Sequence, residues 1–170
     1  ALLEREDLFE AAIVALTQHV DRHVGALGDA LLDRSTAIAI RKRIPRALAK
    51  ASIARASAVL SEALDDGELT VRYHVARALR DLKERNVMVV EERIWASLRH
   101  ELATLERGDA ELLHLFNLLA LVLDPEAVDR AHRSITTGYE NVRSVALEYL
   151  DEVLPRDVRD ALWPHLESRA

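Results

Sequence analysis

The chain is predicted to be all-α, built of antiparallel helix pairs stacked as an α-solenoid, and three observations predict it. One phrase is written twice: Gly67, Val71-Arg72, Val75 and Ala78-Leu79 recur as Gly138, Val142-Arg143, Ala146 and Tyr149-Leu150. In each copy a glycine turn precedes by five residues an arginine, followed by apolar residues at helical spacing, and a unit striped in this way must cover its apolar face with a neighbouring unit. Five Gly and four Pro give too little punctuation for many short strands, whereas the abundant Ala, Leu, Glu and Arg are strong helix formers. Hydrophobic residues make up 49% of the chain but aromatics only 4%, so Ala, Leu, Val and Ile must fill the core. One elongated domain is expected over 1–170, with N-terminal helices over 1–34 and a repeat-like region over 35–168.

In chain order, Leu8, Ala12, Ala15, Leu16, Val20 and Val24 follow the 3.6-residue period of a helix from Glu4 to Val24. Gly25 and Gly28 interrupt it, a shorter piece covers Asp29 to Leu32, and Ser35 or Thr36 can cap the next helix. Ile40, Ile44, Leu48 and Ala51 form a stripe with Lys42, Arg46 and Lys50 on another face, while Pro45 imposes a kink or a fresh start. Ile53 to Leu64 is a helix ended by Asp65-Asp66-Gly67, and Leu69 to Arg85 follows with Val71, Val75, Ala78, Leu79 and Leu82 inward. Val87 to Glu106 continues through Val90, Ile94, Leu98, Leu102 and Leu105; Gly108 ends it and Asp109 caps its successor. From Leu112 to Leu123 almost no polar face remains, as in a helix covered on several sides, and Leu112 and Phe116 stand as a degenerate middle copy of Val71 and Val75. Asp124-Pro125 is a strong start signal for a helix over Ala127 to Thr136. The second repeat helix runs from about Tyr139 to Val153, striped by Val142, Val145, Ala146, Tyr149, Leu150 and Val153, and Pro155 opens a last helix to about Ser168.

These residues resemble HEAT repeats, whose paired helices carry a proline in the first helix, an acid near the turn, and Val-Arg followed by spaced Ala and Leu in the second. Pro45, Asp65 or Asp66, Val71-Arg72 and Ala78-Leu79 fit that pattern. Val142-Arg143, Ala146 and Leu150 fit it again, with Thr136 and Thr137 standing where the acid would be. The resemblance implies a right-handed α-α superhelix over 35–168. A closer similarity is to HEAT segments of bacterial proteins that accompany translocase-like transporters or cyclic-nucleotide-binding domains, carried by Arg43-Ile44-Pro45-Arg46-Ala47-Leu48, His114-Leu115-Phe116-Asn117-Leu118-Leu119 and the run from Val142 to Asp151. It implies a cytoplasmic accessory domain, associated with a membrane protein through a further domain, and not that this chain transports or binds nucleotide.

The net charge of -6 conceals an asymmetry, since Arg34 to Arg55 holds seven basic residues and no acid. Arg41, Lys42, Arg43, Arg46 and Lys50 are therefore the candidate binding surface, able to gather carboxylates or phosphates. The acidic balance of the rest and the lack of aromatics within this set disfavour nucleic acid. Arg72 and Arg143 read as structural, because an arginine fork at a helix start pairs well with turn carbonyls or acids. His19 and His23 share a helix face but lack a third ligand, so no metal is expected. Without cysteine there is neither disulfide nor thiolate chemistry, and neither a phosphate loop nor a nucleophile elbow occurs. No cofactor is expected. The first ten residues are too acidic for a secretory signal and no apolar run is long enough to span a membrane. The start at Ala1 is compatible with a piece of a larger protein. The function expected is a non-catalytic protein-interaction scaffold or regulatory accessory domain that docks an acidic or helical partner segment. The alternatives are a nucleic-acid-binding protein of the HEAT-like DNA glycosylase type and a purely structural module of a larger membrane-associated protein.

Overall fold

The computed structural model describes residues 20–51, 53–85, 90–105, 108–137 and 140–167. Among them the chain is all-helical, with no strand. Where the sequence reads as one domain over 1–170, backbone contacts group the chain into two compact units, Ala1–Val90 and Glu91–Ala170.

The first unit contains α1 (Val20–Leu32), α2 (Ile38–Arg41), α3 (Ile44–Leu48), α4 (Ile53–Glu62), a 3₁₀ turn (Ala63–Asp65) and α5 (Leu69–Lys83). α1 packs on α3 and α4, and α5 packs on α3, α4 and the 3₁₀ turn. The core they enclose is aliphatic, as composition requires: Leu31, Ile44, Leu48, Leu60, Val71, Val75, Leu79 and Leu82 are wholly buried, each worth roughly 1.5–3 kcal/mol in apolar surface removed from water. Pro45 stands in the first turn of α3, the fresh start its missing amide favours. Beyond α5, Arg85 folds back, its Nη1 donating to the Ala49 carbonyl at 2.9 Å and closing α5 onto the end of α3.

Two expectations for this unit are corrected. α1 runs without a break through Gly25 and Gly28. Glycine costs a helix only about 1 kcal/mol, and at Gly28 the missing side chain admits Val59 of α4, whose methyls would lie 3.1 Å from a Cβ there. The expected helix from Glu4 to His19 lies outside the described residues. Nor do Ser35 and Thr36 cap α2: its N-cap is Ala37, with no side-chain bond. Both hydroxyls donate instead to the Asp33 carboxylate, at 2.7 Å and 3.3 Å, in a local turn that competes with capping.

The second unit contains α6 (Glu91–Ala103), α7 (Asp109–Val122), α8 (Pro125–Thr137), α9 (Glu140–Val153) and α10 (Arg156–Glu167). α7 packs against both α6 and α8, α9 against α8, and α10 against α6. The all-round apolar character of α7 is thereby explained, and Leu112, Leu115, Phe116, Leu118, Leu119, Ala120 and Leu121 are all buried. Asp124 caps α8, its Oδ1 accepting from the Ala127 amide at 2.6 Å. At α7 the N-cap is Gly108 and not Asp109, which lies inside the first turn and still favours the positive end of the helix dipole. Val90 precedes α6 and is 59% exposed, so the expected stripe begins at Ile94. On α9 the stripe is narrower than expected, since Val142 and Val145 are exposed while Ala146 and Leu150 are buried. Gly138 lies outside the described residues. No described helix is long and apolar enough to cross a membrane.

A cationic cleft in the first unit

The candidate basic surface divides into an interior anchor and an exterior cleft. Arg41, expected on the exposed face, is buried. Its Nε donates to the Thr36 carbonyl at 2.9 Å, and its guanidinium pairs with the carboxylate of Asp66, itself buried. The cause is local. α2 ends at Arg41, and the turn through Lys42 and Arg43 resets the helix before α3, so position 41 no longer shares a face with position 46.

Asp66 is the hub of this anchor. Its Oδ2 takes Arg41, its Oδ1 accepts the Glu68 amide at 2.8 Å, and its backbone carbonyl accepts from Arg72 Nη1 at 2.8 Å. One residue thus joins α2 to the start of α5, and between the two candidate turn acids it is Asp66 that does so; Asp65 is exposed. Burying an ion pair is costly unless its remaining lone pairs are satisfied, and here amide and guanidinium donors satisfy them. Arg72 is buried, as its reading as a structural residue requires, and so is Arg143, which donates to the Leu166 carbonyl near the end of α10.

With Arg41 drawn inward, Lys42, Arg43 and Arg46 face outward around a cleft of about 490 Å³, completed by His74, Arg77, Ala78 and Asp81. Lys42 and Arg43 come from the turn between α2 and α3, Arg46 from α3, and the other four from one face of α5, at spacings of three, one and three residues. Lys50 is exposed beyond the end of α3 and is not among the lining residues. His74 is half-buried, and its imidazole is held below the usual histidine value by burial first, then by Arg77 and Lys42. Tyr73 packs edge-on to His74 with ring centroids 5.4 Å apart, and the Arg77 guanidinium lies 6.0 Å from the Tyr73 ring centre. The described lining therefore offers four cations, one imidazole and one carboxylate around a small concavity, which suits an anion. Of these, His74, Arg77 and Asp81 escape the sequence reading. The signal that finds them is the helical face 74, 77, 78, 81, meaningful only once α5 is known to pack on α3.

The second unit presents a different recess. Glu148, Asp151, Asp160 and Glu167 line a cleft of about 640 Å³ with Leu147, Trp163 and Pro164. Arg159 lies across it, its guanidinium 3.1 Å from Asp151 and 3.0 Å from Asp160. Deeper in this unit His114 Nε2 lies 3.3 Å from Glu101 Oε1, both side chains buried. His23 is exposed, and His19 lies outside the described residues. Among the described residues, no three His, Asp or Glu gather as a metal cage would require.

Fold and cleft together define an all-helical chain whose first unit bears a cationic recess. Comparison with protein-family models, curated protein sequences and solved structures gave no match.

Proposed function

We propose that the chain is a non-catalytic interaction domain, a HEAT-like α-solenoid that serves as a scaffold or regulatory accessory module in the cytoplasm, and that an acidic segment of a protein partner docks in the cleft of the first unit. The observation that carries this reading is the convergence of Lys42, Arg43, Arg46 and Arg77 on one concavity from three segments of chain. Charges so gathered steer an acidic partner and fix its register, and the buried Arg41–Asp66 pair behind them holds the α2–α3 turn in place before the partner arrives. The solenoid reading is supported by the serial packing of α6, α7, α8 and α9 and by the repeated, buried Arg72 and Arg143. No Phe, Tyr or Trp is among the described residues lining the cleft, which disfavours stacking on nucleic-acid bases there.

The test is fluorescence anisotropy with a labelled octaglutamate peptide. Wild type is expected to bind it, and raising salt from about 0.05 to about 0.5 M should weaken that binding as screening shortens the reach of the charges. The Arg43→Glu/Arg46→Glu variant should bind at least about tenfold more weakly, a difference of about 1.4 kcal/mol, while its helical circular dichroism and melting curve stay those of wild type. Equal binding by the folded variant, or none by wild type, refutes the reading.

A further inference from the structure

The cleft is small for an extended acidic strand. About 490 Å³ lies toward the low end of small-ligand sites, which run from roughly 300 to 1,000 Å³, so it encloses one compact charged group. Three of its four cations are arginines, whose planar forks match phosphoryl oxygens two at a time. The other polar elements of the described lining are the Asp81 carboxylate and His74. The surroundings of His74 in the cleft disfavour a fifth positive charge: burial, Arg77 and Lys42 all oppose protonation. A dianion offsets these cations more fully than a carboxylate does, because at a given distance it exerts twice the attraction of a monoanion.

Resting on the proposed docking of an acidic segment, we propose that the group received by the cleft is a phosphoryl group on that segment, and that His74 takes up a proton as the group enters. The charged and titratable groups around His74 are Lys42 and Arg43 from the turn before α3, Arg46 from α3, and Tyr73, Arg77 and Asp81 from α5 itself; α4 and the 3₁₀ turn, which also pack on α5, contribute no residue to the described lining. A phosphoryl dianion among them offsets Lys42 and Arg77 and accepts a hydrogen bond from the imidazolium. Linkage then requires that phosphoryl binding tighten as protons become available, over the range where the phosphoryl group itself stays doubly ionised.

Three labelled peptides decide the matter, identical and otherwise uncharged, with phosphoserine, glutamate or serine at the centre. At about pH 7 the phosphoserine peptide is expected to bind at least about tenfold more tightly than the glutamate peptide, and the serine peptide not to bind. Between about pH 8 and about pH 6.5 its affinity should rise about fivefold in wild type and stay flat in His74→Asn and His74→Gln. The imidazole ¹³C–¹H resonance of His74 in wild type gives a readout free of any folding effect of the variants. It should titrate below the ordinary histidine value in the free protein and above it with the phosphopeptide bound. Equal affinity for glutamate and phosphoserine, a flat pH profile in wild type, or an unmoved His74 titration overturns this inference while octaglutamate binding leaves the docking reading standing. Failure of octaglutamate and phosphopeptide alike removes both. Tighter binding of a short DNA duplex than of the phosphopeptide, through the same cations, also overturns it.

Discussion

Leu79 and Leu150 occupy the same place in the two copies of the repeated phrase, and both are wholly buried. Arg72 and Arg143, seven residues earlier, are both buried as well. Around these shared points the copies diverge. Val71 is fully covered whereas Val142 is 52% exposed, and His74, half-buried in the cationic cleft, corresponds to Val145, which is exposed. Arg77 lines the cationic cleft while its counterpart Glu148 lines the acidic one. The comparison teaches that the repetition preserves an inner register, an arginine and then a leucine two turns on, and leaves the outer faces free to acquire opposite charge. The arginines also find different partners, a turn carbonyl within its own hairpin for Arg72 and the end of a different helix for Arg143.

The comparison can be broken most sharply at the anchors. Asp66→Ala strands the buried Arg41 and should lower the stability of the first unit by about 3–5 kcal/mol. Arg143→Gln removes the bond to the Leu166 carbonyl and should cost only about 1–3 kcal/mol; denaturant titration reads both, and equal losses would show that the two anchors do the same work. A second contrast sits one residue earlier. Val71→Ala should cost about 1.5–3 kcal/mol for lost apolar burial, and Val142→Ala should stay within about 0.5 kcal/mol.

The glycines sharpen the picture on a smaller scale. Gly28→Ala presses a methyl against Val59 and should destabilise by about 1 kcal/mol. Gly67, which introduces the first copy, has open space around it and a backbone outside the left-handed region, so Gly67→Ala should be neutral or stabilise by up to about 1 kcal/mol. A loss larger than that would mean the turn needs its glycine. The smallest effect lies in the acid limb of the stability curve. Hydrogen bonds from Ser35 hold Asp33 below the ordinary carboxylate value of 3.8 in the first unit, and a bond from Arg99 does the same for Asp157 in the second. A lowered folded value contributes stability above pH 3.8 that is lost as pH falls through it. Ser35→Ala and Arg99→Gln should each flatten thermal melts recorded between about pH 4 and about pH 2, slightly, because both carboxylates are solvent-exposed.

What could be read from the sequence was whatever a helix decides within its own turns. The apolar stripes of α5 and α7, the Asp124-Pro125 start of α8 and the restart at Pro45 are settled by neighbours three or four residues away, and the fold bears them out. The continuity of α1 was not readable, because the contact that favours Gly28 comes from Val59, far along the chain. Half of the cleft was legible for the same reason: Lys42, Arg43 and Arg46 stand close together in sequence, whereas His74, Arg77 and Asp81 join them only through the packing of α5 on α3. Arg41 was misplaced because a run of basic residues looks like one surface until a turn sends one of them inward.

Asp66 is not among the described residues lining the cleft, yet it pairs with Arg41, whose next two residues in the chain line that cleft. Affinity at this recess can therefore be adjusted from behind. An exchange such as Asp66→Glu or Arg41→Lys would leave every contacting group in place and change only how firmly the backbone presents them, giving protein engineering, and natural variation, a tuning screw hidden from the ligand.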